Sequence, residues 1–136
     1  MLGAASVIVD DAGRVLLVKH SYGELNWELP GGCGEARESA EETARREARE
    51  EVGLELAIER LVGVYWEPPD AHHFVFRARA RGEQRVADPN EITELGWFVP
   101  SSLPRPISDF TVRRITDALG NGLAGVWTIG PRVWLR

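Results

Sequence analysis

Apolar residues near the start of the chain come in short runs divided by turn-forming residues. Residues 3–10 and 14–20 are two such runs, and Asp11-Ala12-Gly13 between them predicts a hairpin. A third, short strand is expected over residues 27–29, leading into Pro30-Gly31-Gly32. The period then changes. Ala44, Ala48 and Val52 recur every four positions, which is a helical stripe. Ser39 with Glu42 three residues later reads as a capping box that starts this helix at Ala40, and Gly53 supplies the stop. Residues 55–65 read as one or two strands, 73–80 alternate as a strand does, 87–94 read as loop and 95–99 as a strand. After a loop at 100–106, Ser108 caps a second helix through Leu119. Residues 120–125 break that helix, and 126–135 are expected to form a final hairpin around Gly130-Pro131. No internal repeat or linker interrupts this order, so residues 1–136 are expected to fold as one domain of α/β class. Strands interrupted by two helices imply a mixed sheet between helical layers.

The first helix carries the chemistry. At about 100° per residue, Glu47, Glu50 and Glu51 fall within an arc of about 100°, beside the small-residue stripe that packs on a sheet. Carboxylates at i, i+3 and i+4 repel, at a cost of a few tenths of a kcal/mol per pair in an isolated helix. Their concentration makes sense if a cation sits among them. Oxygen donors without cysteine or histidine select Mg²⁺, with Mn²⁺ as a substitute, over zinc. Mg²⁺ takes few protein carboxylates and keeps positions for water and substrate phosphates. Arg46 reaches Glu50 at i+4, or turns toward Glu47 and fixes its rotamer.

Composition adds exclusions. The 43% hydrophobic and 27% charged content is that of an ordinary globular domain. A net charge of −5 and a pI near 5.2 argue against a nucleic-acid footprint, which is normally basic. An anionic substrate must then be drawn in by the metal and by local arginines. The single cysteine, Cys33, excludes an internal disulfide, fits a reducing cytosol and is read as incidental, so a cytoplasmic protein is expected. No apolar run is long enough for a signal peptide or membrane span. The terminal segment with Trp127 and Trp134 either completes the core or, if exposed, forms the face of a homodimer.

Residues 32–54 space Gly32, Glu38, Arg46, Glu47, Glu50, Glu51 and Gly53, with aliphatic Ala48 and Leu54, in a pattern that resembles the Nudix box, GX5EX7REUXEEXGU. That box marks Mg²⁺-dependent hydrolases of nucleoside diphosphates linked to another group. The approach Trp27-Glu28-Leu29-Pro30-Gly31-Gly32 also resembles the family. The resemblance implies an α/β/α sandwich with the box as a loop-helix-loop. It implies Glu47, Glu50 and Glu51 as metal ligands with the carbonyl of Gly32, and Arg46 orienting Glu47. Glu38 matches the first box glutamate, which more often supports the loop-helix structure than touches metal. Arg37 stands where the family usually has glycine; its turn must tolerate a side chain, which either faces solvent or lies near the phosphates.

Further candidate roles, some implied by the family and some read from the residues, are spread along the chain. A general base is expected at Glu91, with Glu94 and Glu47 itself as competing candidates. Tyr22, Trp66 and Phe110 are candidates for stacking a base, whereas Trp27, Phe74, Phe76, Trp97 and Phe98 read as core. His72 and His73 read as structural or as base or phosphate contacts, and Arg105 and Arg113 as possible phosphate holders. The substrate is expected to be a small nucleotide: a triphosphate, an oxidised nucleotide or an ADP-sugar, the last hinted at by Pro68-Pro69. Alternatives are a non-catalytic nucleotide sensor, against which the intact carboxylates argue, and an isomerase of the isopentenyl diphosphate type, whose relatives are longer with a diverged box.

Overall fold

The computed structural model describes residues 1–136. In chain order the strands and helices are β1 (Leu2–Ile8), β2 (Val15–His20), β3 (Trp27–Glu28), β4 (Gly31–Cys33), α1 (Ala40–Val52), β5 (Glu55–Glu67), β6 (Ala71–Arg81), β7 (Ile92–Phe98), β8 (Ile107–Ser108), α2 (Asp109–Leu119), β9 (Val126–Thr128) and β10 (Trp134–Leu135). The strands form two five-stranded sheets, β4-β1-β6-β5-β9 and β10-β8-β3-β2-β7. Both are mixed. In the first, β1 pairs parallel with β6 and β5 parallel with β9; in the second, β3 pairs parallel with β8.

Alternation explains why β1 and β2 read as continuous apolar runs. Ala4 and Ile8 of β1, with Leu16 and Val18 of β2, pack among Ala44, Ala48 and Val52 of α1. Ala5 and Val7, with Val15 and Leu17, point the other way into a second cluster holding Phe110, Ile115 and Ala118 of α2. Successive strand residues face opposite sides, and here both sides are covered by a helix. The expected α/β/α layering is therefore present, with its strands dealt into two sheets.

The turn at residues 11–13 forms as expected: the Asp10 carboxylate accepts from the Ala12 and Arg14 amides, and Gly13 takes φ 76°. The hairpin does not continue beyond it. Past a single bridge between Val9 and Val15, the two strands part into different sheets. Each strand has two hydrogen-bonding edges, and β1 gives both of its edges to β4 and β6. The final hairpin is likewise absent. β9 joins β5, while β10 crosses to the other sheet and pairs with β8. Packing divides this tail: Trp127 lies tilted on Tyr65 with centroids 5.4 Å apart, and Ile129 donates its amide to the Trp66 carbonyl. The segment thus completes the core through Trp127, Ile129 and Leu135, leaving Val126 and Val133 exposed. Residues 55–65 belong to one 13-residue strand with two register shifts.

Helix α1 matches its local signals. Ser39 and Glu42 form the reciprocal capping box, and Gly53 ends the helix at φ 70°, its amide bonding back to Ala48 and Arg49. The buried stripe is Thr43, Ala44, Ala48, Glu51 and Val52, so one carboxylate of the box is carried under the sheet with the apolar residues.

Candidate active site

β4 was not among the expected strands, and it positions the box. Gly31–Cys33 runs antiparallel to β1 and lies against α1. The absence of a side chain at Gly32 lets α1 approach: a Cβ there would stand 2.6 Å from Glu47 Oε1. Beside it, the amide of Gly31 donates to Glu51 Oε2 at 3.0 Å. Two box carboxylates are thus pinned against the backbone of the Pro30-Gly31-Gly32 approach.

Arg46 organises the rest. Its Nε bonds Glu38 Oε2 at 2.7 Å, and Nη1 bonds Glu47 Oε1 and Glu50 Oε2, each at 3.0 Å. Nη2 donates to the Cys33 carbonyl at 3.0 Å. Arg46 therefore takes both partners anticipated for it and ties the loop to the helix as well. Glu38 also accepts from Thr43 Oγ1 at 2.7 Å and from the Glu35 amide. The bonds from Arg46 and Thr43 hold its carboxyl down to about 2. This saturated carboxylate is the loop clamp of the two roles open to it, with both oxygens already occupied.

Glu51 is in the opposite condition. It is 4% exposed, and burial, followed by the charge of Glu47, pushes its carboxyl up to about 9. Glu91 and Glu28 push in the same direction. Burial also raises Glu47, against the pull of Arg46. Glu91, at the entrance to β7, adds to the field on both box carboxylates, so the structure brings it to them. Glu94 does not reach them: it points from β7 toward Lys19, with its oxygen 3.8 Å from Nζ. No three acidic, histidine or cysteine side chains converge into a ready-made cage for a metal. Arg46 engages Glu47 and Glu50 through Nη1, while Glu51 accepts from the Gly31 amide. Oxygen-only donors that raise one another's affinity for a proton are nevertheless suited to a hard cation that needs few protein ligands.

A cleft of about 390 Å³ opens from Gly31–Cys33 and runs between the two sheets, within the range of small-molecule sites. Tyr22 stands at its mouth, 53% exposed and stacked on His20 with centroids 4.7 Å apart. The remaining expectations fare differently. Trp66 lies outside the cleft, tilted against His72 at 4.5 Å. The reason is alternation along β5: Tyr65 takes the inward position and is fully buried, so its neighbour faces away. Arg37 is also outside the cleft, exposed at φ 66° in the loop before α1. Phe110 is buried in the α2 core, with Tyr65 and His73 edge-on to it. Arg113 sits over Tyr65 and Trp127 near Asp117, and Arg105 donates to the Arg136 carbonyl, so neither joins the box. His73 does line the cleft, its Nε2 2.8 Å from Glu67 Oε1, while His72 is exposed.

Sequence reasoning missed the inner wall. Arg114 of α2, 4% exposed, donates from Nη2 to Glu28 Oε1 at 2.7 Å, and both line the cleft with Asn26 and Trp134. Burial lowers the Arg114 pKa, and Glu28 opposes that shift. A signal for it existed: the buried stripe of α2 is Phe110, Thr111, Arg114, Ile115 and Ala118. An arginine on that stripe needs a partner in the core.

Residues 1–119 match the family described as NUDIX domain. A protein of Bacillus subtilis (strain 168), provisionally named an 8-oxo-dGTP diphosphatase, is 38% identical over 117 residues, covering 85% of this chain and 77% of that one. A MutT-like protein of Streptomyces ambofaciens is 31% identical, covering 87% and 76%. The crystal structure of a MutT NUDIX hydrolase from Burkholderia pseudomallei superposes with a TM-score of 0.77 at 32% identity, over 85% of this chain and 95% of that one.

Proposed function

Because the chain belongs to the NUDIX family of hydrolases, we propose that it is a Mg²⁺-dependent pyrophosphohydrolase acting on nucleoside triphosphates, oxidised ones included. The observation that carries this reading is the Gly31–Gly32 backbone at the end of a nucleotide-sized cleft, with Glu47 and Glu51 pressed against it. The similarity to the Bacillus subtilis protein favours triphosphates over ADP-sugars.

Glu47, Glu50 and Glu51, with the Gly32 carbonyl, are the residues that would hold the metal. Bound there, Mg²⁺ or Mn²⁺ supplies charge neutralisation on the phosphates and lowers the pKa of a coordinated water. The chain provides the rest. Gly31 anchors Glu51, and Arg46 fixes Glu47 while closing the loop through Glu38 and Cys33. Glu91 is exposed and unclamped, which suits it to take a proton from the water that attacks the diphosphate phosphorus. Tyr22 offers an aromatic face at the mouth of the cleft. The products are a nucleoside monophosphate and pyrophosphate or another phosphorylated remainder.

The test is phosphate release, coupled to a phosphatase or pyrophosphatase, across triphosphates, oxidised triphosphates, ADP-ribose, nucleotide sugars and dinucleoside polyphosphates. Turnover that requires Mg²⁺ or Mn²⁺ and falls by about 10³-fold in Glu51→Gln is expected. Glu91→Gln should lower kcat by about 10²–10⁴-fold, and Glu94→Gln should leave it unchanged. Nucleotide binding without turnover of any substrate would replace the hydrolase with a sensor.

A further inference from the structure

The diphosphate chemistry uses one end of the cleft and leaves the Glu28–Arg114 wall without a role. That wall is unusual in what it leaves open. All three donors that reach the Glu28 carboxylate go to Oε1: the Leu29 amide at 2.7 Å, Thr111 Oγ1 at 2.9 Å and Arg114 Nη2 at 2.7 Å. Oε2 accepts nothing from the protein. Arg114 bonds through Nη2 to Glu28 and Thr111 and through Nε to the Phe110 carbonyl at 3.4 Å, while Nη1 donates to no protein group. Its side chain is nevertheless only 5% exposed. Ser6 Oγ is the one fully enclosed side-chain polar atom lacking a partner, so these free atoms of Glu28 and Arg114 border the open cleft. An unpartnered acceptor and an unpartnered donor thus border the same cleft.

Charge balance says what belongs there. Arg114 is neutralised by Glu28, and Arg132 and His73 share Glu67 at 3.4 and 2.8 Å. No side-chain cation of this wall is left uncompensated, and the α-ammonium of Met1, also on the lining, donates to the Asp70 carbonyl. An uncharged group with a hydrogen-bond donor beside an acceptor matches it, and the Watson–Crick edge of a nucleobase is such a group. The stacked Tyr22–His20 pair and Trp134, which also line the cleft, supply flat surfaces for its faces.

We propose that Glu28 and Arg114 form the base-reading element of the cleft, Glu28 Oε2 accepting from a base N–H and Arg114 Nη1 donating to a ring nitrogen or exocyclic oxygen. The inference rests on reading the cleft as a nucleotide site. A site built from buried polar groups discriminates strongly, because a ligand that lacks the matching group leaves them unpaired.

Glu28→Gln is the discriminating variant. Its amide oxygen can keep the three bonds made by Oε1, while the free position changes from acceptor to donor. Binding is followed by NMR titration without metal, using the deoxynucleoside monophosphates and base-free ribose 5-phosphate as probes. The wild-type chain should prefer at least one monophosphate over ribose 5-phosphate by about tenfold or more, the scale of a charge-assisted hydrogen bond. Glu28→Gln should erase that preference or transfer it to a different base, while ribose 5-phosphate binds as before. Equal binding of base-bearing and base-free probes by the wild type overturns the proposal, as does a preference that Glu28→Gln leaves intact. Should the variant fail to fold, the side-chain nitrogens of wild-type Arg114 decide: they should shift with a monophosphate and not with ribose 5-phosphate, and no shift with either overturns the assignment. A base preference in a protein that hydrolyses nothing would support this element while removing the hydrolase reading.

Discussion

Helices α1 and α2 each bury one ionisable side chain beside their apolar stripe, and the fold treats the two in opposite ways. On α2, Arg114 meets Glu28 and Thr111 at hydrogen-bond distance, so the charge is compensated where it lies. On α1, Glu51 receives one backbone amide and is surrounded by the fields of Glu47, Glu91 and Glu28. Burial of a charge is tolerable when its partner comes with it and strained when its neighbours share its sign. A paired charge inside a cleft wall orients and selects. A charge left among its like is a place kept for something cationic.

Substitutions at the two positions should therefore have opposite signatures. Glu51→Gln is expected to lower kcat/KM by about 10³-fold, because charge stabilisation worth several kcal/mol is lost from the transition state. The same change should raise the metal-free melting temperature, since a buried amide needs neither ionisation among like charges nor proton uptake. A lower metal-free melting temperature would mean that Glu51 is a structural group after all. Arg114→Met should cost about 3–5 kcal/mol in urea unfolding, as it strands Glu28 in the wall. Adding Glu28→Met to it should recover part of that loss; if the single and double variants unfold alike, the pair is not coupled.

Metal and pH probe the α1 site further. Folded, Glu51 keeps its proton up to about 9, against an ordinary value of 4.5, so between these values the folded chain binds the extra proton. Metal-free stability from this group consequently falls as pH rises across that window. A cation displaces the proton, so Mg²⁺ should raise the melting temperature more at pH 9 than at pH 6. At a hundredfold excess over Kd the stabilisation is about 2.7 kcal/mol. An Mg²⁺ shift that does not grow with pH would separate the metal from Glu51.

The entries to the helices also differ. Ser108 leads into α2 from ordinary extended backbone at φ −82°, whereas Arg37 precedes α1 at φ 66°, where a side chain is strained. Arg37→Gly should stabilise the chain by about 1 kcal/mol in thermal unfolding. An unchanged KM in that variant would exclude Arg37 from phosphate binding.

Much of α1 was legible from its residues because its determinants are local. The Ser39–Glu42 box, the alanine stripe, the Gly53 stop and the Arg46 reach to Glu50 all lie within five positions of their partners. The spacing of the box identified the family for the same reason. Strand pairing was less legible: residues 11–13 encode a turn but not whether the flanking strands stay together, which depended on β4 and β6 claiming both edges of β1. Trp66 was misplaced because the inward side of β5 is set by Tyr65 and its packing on α2, not by anything adjacent in the chain.

The sequence by itself determined the two helices, the carboxylate cluster of α1 and the NUDIX membership. The tertiary structure alone decided the division into two sheets, the burial of Glu51 against the Gly31 amide and the Glu28–Arg114 wall of the cleft. Glu28 and Arg114 stand 86 residues apart. Helical spacing and caps act across a turn or so of chain, whereas a pair so distant exists only once the core has closed around it.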